Sequence, residues 1–231
     1  MSEAFGTALR LLVNLDPKLV EIVLLSLSVS LTAVAIAALL GFPLGAAIAV
    51  GRFLGRQTLI VLLNALMGLP PVVVGLVIYL LLSRAGPLGS LGILFTPSAM
   101  VIAQTVLIVP IIAALSRQAI EDAWDEYQEQ LRSLGASRLE SALTLLWDTR
   151  FSLLTTVLAG FGRAAAEVGA VIIVGGNIDG VTRVMTTTIA LETSKGDLPL
   201  ALGLGIILIA IVVAVNAAAY LTKELAQKRY G

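Results

Sequence analysis

Arg163 and Glu167 stand four residues apart inside an otherwise uncharged run, a spacing that puts both on one helix face within reach of each other. They are the only opposite charges deep in any apolar stretch of the chain. Two uses fit such a pair. As an ion pair it would hold spans or subunits together, which offsets the roughly 2.5–3.5 kcal/mol that insertion scales assign to a charge at a helix centre in the membrane. On the wall of a polar path, the guanidinium would attract an oxyanion while the carboxylate kept it from binding too tightly. The spacing alone does not separate the two. Thr186, Thr187 and Thr188 follow in the next segment, as donors along such a path or as ordinary packing and capping residues. Gly160, Gly162 and Gly169 are small enough to let helices approach closely.

Other chemistry is scarce. The 231 residues contain no His and no Cys, which removes thiolate nucleophiles, disulfides and His or Cys metal sites, so neither a catalytic centre nor a metal centre is expected. The carboxylates that remain sit in connecting segments and read as solvated acids. A phosphate-cradling loop needs Gly-x-x-x-x-Gly-Lys-Ser/Thr, and no lysine here follows a glycine. The chain is therefore expected to be no enzyme, to hold no cofactor, and to draw any driving energy from a partner.

The elements that must position these residues are membrane spans. Hydrophobic residues make up 58% of the chain and charged ones 13%, against about 25% charged in soluble domains, and the mean hydropathy is +0.99. The net charge of +0 gives no reason to expect nucleic acid as a partner. A span needs about 20 apolar residues. Five runs qualify, over about 22–50, 58–82, 98–115, 151–174 and 198–221, giving one membrane domain over 20–222. Pro70-Pro71 breaks the second run and Pro110 kinks the third. Residues 1–19 read as an amphipathic segment along the membrane surface, 85–97 and 175–197 as loops, and 223–231 as a tail.

The charges are concentrated in 117–150, which reads as helix, glycine, helix. Ala123, Trp124, Tyr127, Leu131 and Leu134 mark one apolar stripe and Leu139, Ala142, Leu143 and Leu146 the next. Gly135 divides them, and Ser137 with Glu140 has the spacing of a capping box. Placing this hairpin inside leaves nine Lys and Arg on the inner side and five on the outer, which predicts the N-terminus outside and the C-terminus in the cytoplasm.

The hairpin resembles the cytoplasmic loop of ABC importer permeases, whose signature is Glu-Ala-Ala, three residues, Gly, nine residues, Ile or Leu, any residue, Leu-Pro. Aligned on Gly135, the glutamate falls on Glu129 and the Ile/Leu on Leu145, while Gln130 and Leu131 replace the alanines and Trp147-Asp148 the closing Leu-Pro. The stretches FGRAAAEVGAVIIVGGN and TRVMTTTIALETSKGD resemble the permeases of molybdate, sulfate and tungstate importers, the second piece most of all the tungstate type. With LRSLGASRLESALTLLWDTRF the likeness covers about residues 20–220.

The resemblance implies an all-α, polytopic fold, the transmembrane domain of a type I ABC importer with a cytoplasmic coupling hairpin. It implies a multi-pass protein of the cell inner membrane that forms a homodimer amid membrane lipid. It also implies two cytoplasmic ATPase subunits that bind ATP and Mg, and an external protein that delivers the oxyanion. Carried onto this sequence, the ATPase contact is expected at Glu129, Gln130, Leu131, Leu134, Gly135, Ala136, Ser137, Arg138 and Leu139. Tungstate ranks first as cargo on the loop likeness, with molybdate or sulfate as alternatives. A different class, a self-sufficient anion channel or proton-coupled carrier gated by Arg163 and Glu167, is the competing expectation.

Overall fold

A computed structural model describes residues 17–230 of the chain. Most of the expected amphipathic segment over 1–19 lies outside the described residues. Its last three, Pro17 to Leu19, begin the first helix, α1 (Pro17–Val50). Then come α2 (Arg56–Leu66), α3 (Pro71–Leu82), a 3-10 turn at Gly89–Leu91, α4 (Pro97–Ser133), α5 (Arg138–Asp148), α6 (Arg150–Ala165), α7 (Gly169–Gly175), α8 (Met185–Lys195) and α9 (Leu198–Tyr230).

Of these, α1, α4 and α9 are each long and apolar enough to cross a membrane. The pairs α2/α3 and α6/α7 are each bent, by 99° and 59°, and bring the number of crossings to five if each pair counts as one. Their breaks have different causes. Pro70 and Pro71 supply no N–H, and Pro70 sits extended at φ −65°, ψ 120°, so α2 must end before them and α3 starts afresh on Pro71. No proline breaks the other pair. There the chain turns through Ala166–Val168, and the carboxylate of Glu167 accepts the Ala170 N–H at 3.0 Å, at the start of α7.

The clusters of buried side chains show how the spans run. Val29 packs with Met100 and Ala103, Ala33 and Ala37 with Ile108 and Ile112, and Ala46, Ala49 and Val50 with Ile120 and Trp124. α1 and α4 are therefore parallel. α9 runs the same way, since Leu204 meets Leu19 near one end, Val212 and Val215 meet the Ala33 layer, and Lys223 Nζ reaches Thr155 Oγ1 at 3.3 Å near the other. The shared direction of α1, α4 and α9 puts Pro17 and the end of α9 at opposite ends of the bundle.

Spans that share lipid as solvent gain little by burying apolar surface against one another, so close approach matters more. On α1 every fourth residue is small and buried, through Ala33, Ala37, Gly41, Gly45 and Ala49. A Cβ on Gly41 would lie 2.8 Å from Ile112 Cγ2 of α4. The two bent pairs meet in the same manner. A Cβ on Gly75 of α3 would lie 2.8 Å from Ala170 Cα, and one on Gly169 of α7 would lie 2.9 Å from Val72 Cγ2.

Three segments differ from the sequence expectations. Residues 175–197, expected as loop, contain the helix α8, which is anchored where Ser26 Oγ of α1 accepts the Met185 N–H at 2.8 Å. The segment 151–174, expected as one span, is the broken pair α6/α7. From residue 223 the expected tail continues α9 as helix to Tyr230.

Candidate functional site

α4 does not stop where its apolar stretch ends near Ser116. It continues through the charged segment to Ser133 as one helix of 37 residues. Its end is closed by paired bonds from Ala136 N to Leu131 O and Gly135 N to Arg132 O, both at 3.0 Å, the Schellman arrangement that needs a left-handed residue. Gly135 supplies it, at φ 76°. α5 then starts with a reciprocal cap. Ser137 Oγ accepts the Glu140 N–H at 3.3 Å, and Glu140 Oε2 accepts the Ser137 N–H at 2.8 Å. Hydrogen bonding of the carboxylate by the Ser137 side chain and backbone N–H holds Glu140 below its ordinary pKa.

The hairpin has an inner and an outer side. Leu145 and Trp124 are buried with Ile120 and the end of α1, and Tyr127, Leu131, Ala142 and Leu146 pack against that cluster. On the outer side Leu134, Leu139, Leu143 and Trp147 are 82%, 70%, 58% and 72% exposed. The stripe expected on the second helix is thus divided: Ala142 and Leu146 turn inward, while Leu139, Leu143 and Trp147 form an exposed row one turn apart. Of the residues expected to meet a partner, Glu129, Gln130, Leu134, Gly135, Ser137, Arg138 and Leu139 are exposed, and Leu131 and Ala136 are half-buried. Arg132 stacks over Trp124 at 5.5 Å, and Arg150 lies 5.0 Å from the Trp147 ring centre and 4.6 Å from that of Phe151. Beside Trp124, the Tyr127 phenol is raised in pKa by its bond to the neighbouring Glu126 carboxylate.

At the root of the hairpin lies a group that sequence reasoning missed. Glu121 of α4 pairs with Arg56 of α2 at 2.5 Å and with Arg117 one turn earlier in its own helix. The Arg117 partner was legible from its spacing of four. Arg56 is 65 residues away, and no local pattern points to it.

Within the bundle, Arg163 Nη1 donates to Glu167 Oε2 at 2.6 Å, as the spacing predicts. The two ends of the pair differ: Glu167 is 3% exposed and Arg163 30%. The carboxylate is therefore the buried anchor, with one oxygen on Arg163 and the other on the Ala170 N–H. Thr186 also joins this corner, donating to Glu167 O at 2.8 Å. Thr187 and Thr188 do not; both are buried and donate to Val184 O at 3.0 and 2.7 Å, and Thr187 Oγ1 accepts the Val184 N–H at 3.1 Å at the start of their own helix. Gln104 of α4, 4% exposed, was also missed. It donates Nε2 to Ala164 O at 3.2 Å and lines a cavity with Ser26, Ser30, Glu167 and Thr186. Among the described residues no group of three or more Asp or Glu could hold a metal ion.

Comparison with known proteins gives the arrangement a context. Residues 41–231 match the family described as binding-protein-dependent transport system inner membrane component. The chain is 42% identical to the tungstate uptake system permease protein of Peptoclostridium acidaminophilum, over 97% of this chain and 98% of that protein. It is 41% identical to a probable anion ABC transporter permease protein of Haloferax volcanii, over 86% and 88%. To the tungstate uptake system permease protein of Campylobacter jejuni it is 36% identical, over 93% and 90%.

Proposed function

The chain belongs to the binding-protein-dependent transport inner membrane components, the permeases of ABC importers, and from that premise we propose that it carries a tetrahedral oxyanion, tungstate first. The likeness to a tungstate permease along almost the whole of both chains carries this reading. A multiply charged oxyanion faces a very large desolvation cost in hydrocarbon, so it must cross on a polar path formed by protein. In this reading two copies of the chain form that path. Arg163, whose guanidinium is the exposed end of its pair, faces the anion, and Glu167 behind it keeps the attraction from becoming a trap.

The hairpin is the part gripped by the energy source. Its row of Leu139, Leu143 and Trp147, extended by Leu134 at the turn, stands open on the outer side of the tip. An apolar row on a short helix is what a groove in a soluble protein takes up. In this reading the tip faces the cytoplasm, with the end of α9 on the same side and Pro17 outside, and two ATPase subunits holding ATP and Mg dock there. An external binding protein delivers the anion to the other face.

The test is a complex of the chain with the ATPase and the binding protein, reconstituted in liposomes. Tungstate-loaded binding protein should stimulate ATP hydrolysis and drive uptake. Stimulation by molybdate or sulfate alone would move the cargo assignment within the class. Flux through the purified chain alone, unaffected by deleting the hairpin tip, would replace the reading with a passive channel.

A further inference from the structure

Arg56 is the first residue of α2 and does two things at once. Its Nε donates to Ile48 O at 2.8 Å and its Nη2 to Ala49 O at 3.5 Å, among the last carbonyls of α1, which have no partner within their own helix. A guanidinium also suits the negative end of a helix. The same Nη2 donates to Glu121 Oε1 of α4. One carboxylate and one guanidinium thus tie α1, α2 and α4 together where α4 leaves the apolar bundle for the hairpin.

The tie is made where α2 has little other hold. Its first three residues, Arg56, Gln57 and Thr58, bury no apolar side chain. The residues that fix α2 by packing, Ile60 and Leu63, lie further along, against Ile48, Ala113 and Ala114. The hairpin, by contrast, is welded to α1 through Leu145, Trp124, Ile120 and Ala46. A movement of the hairpin therefore carries α1 with it through packing, and Glu121 with Arg56 adds a direct polar link from α4 to the start of α2, ahead of the packing of Ile60 and Leu63. Beyond α2 lies the 99° bend and α3.

We propose that Glu121 is a positioning residue for coupling, which through Arg56 conveys displacement of the hairpin to the bent span α2/α3. The inference rests on the reading that an ATPase grips the hairpin. It requires that the pair matter for the conversion of hydrolysis into transport, and little for assembly. Arg117 gives an internal control, because its bond to Glu121 lies within α4 and joins no second element.

The experiment uses the whole transporter in liposomes, with ATP consumed per tungstate imported as the readout and ATPase co-purification and thermal stability measured alongside. Glu121→Gln and Arg56→Gln should each raise the ATP used per anion about two- to thirtyfold, the range that corresponds to 0.5–2 kcal/mol of coupling. The double variant should be no worse than Arg56→Gln alone, since the bond between Arg56 and Glu121 is already lost there. Arg117→Gln should stay near the unmodified ratio, and all variants should retain the ATPase. Unchanged ratios in Glu121→Gln and Arg56→Gln overturn the proposal. So does an equal effect of Arg117→Gln, or loss of the ATPase from both Glu121→Gln and Arg56→Gln, which would make the pair an assembly contact. If the unmodified complex imports nothing on ATP, the functional reading itself is what has failed.

Discussion

Gly45 of α1 and Ser116 of α4 are so close that a methyl group on the glycine would overlap the serine Oγ and crowd the Ala113 carbonyl. The nearest obstacles include backbone, which cannot rotate away. Gly45→Ala should therefore destabilise the bundle, by about 1–3 kcal/mol as for other overpacked sites. Gly205 of α9 has nothing within 4 Å of where its Cβ would lie. There the same change should be neutral or stabilising by about 0.5–1 kcal/mol, because alanine is the better helix former. Thermal unfolding of both variants in one detergent measures the difference.

Gly135 poses the opposite problem. Its Cβ would meet nothing within 4 Å, but its φ of 76° is left-handed, a region that costs residues other than glycine about 1–2 kcal/mol. Asparagine tolerates it better than a β-branched residue does. Gly135→Asn should therefore keep most of the ATPase stimulation, whereas Gly135→Val should lose the larger part of it. Equal activity of the two would mean that the shape of the turn is irrelevant to docking.

The capping box makes the start of α5 sensitive to acid. Glu140 has a pKa lowered in the folded chain by Ser137, so its contribution is complete above the unfolded value of about 4.3 and fades as the pH falls through the folded value. Protection of the Ser137, Glu140 and Ser141 amides, measured relative to the intrinsic exchange rate at each pH, should fall on acidification below that point. In Glu140→Gln the same amides should exchange faster at neutral pH, and the acid dependence should flatten.

Glu167 holds Arg163 with one oxygen and the Ala170 N–H with the other. Glu167→Ala removes both acceptors from a buried corner, and one unsatisfied buried donor costs about 1–3 kcal/mol. Glu167→Gln keeps a carbonyl for Ala170 and loses the charge facing Arg163. The alanine variant should therefore unfold at clearly lower temperature than the glutamine variant. If Arg163 meets the anion, the glutamine variant should also bind tungstate more tightly and release it more slowly, as measured by the uptake rate at saturating substrate.

The sequence disclosed those features whose cause is local. Long apolar runs mark the three long helices and the two bent pairs, Pro70-Pro71 marks a break, and the spacings Ser137–Glu140 and Arg163–Glu167 mark a cap and an ion pair. What stayed hidden is determined by contacts between distant segments. α8 is polar and threonine-rich, and it is held by Ser26 and by Met185 packing on Leu19 and Leu204. The break before Gly169 has no proline to announce it, only a buried carboxylate that starts a new helix. On α5 the apolar residues at 139, 142, 143, 145, 146 and 147 spread over about 200° of the helix, an arc too wide for periodicity to decide which part of it would be buried with Leu145.

The unbroken run of α4 has a geometric consequence. At 1.5 Å per residue its 37 residues extend about 55 Å, nearly twice the roughly 30 Å of hydrocarbon that it must cross. The crossing and the outboard arm are therefore one continuous helix, whose internal hydrogen bonding is interrupted at Pro110 well before the charged segment. Each residue also turns the rod by about 100°, so the compass bearing of the tip relative to the core is dictated by the number of residues between them. A displacement of Gly135 would therefore act as a tilt or twist of the same helix that packs along α1.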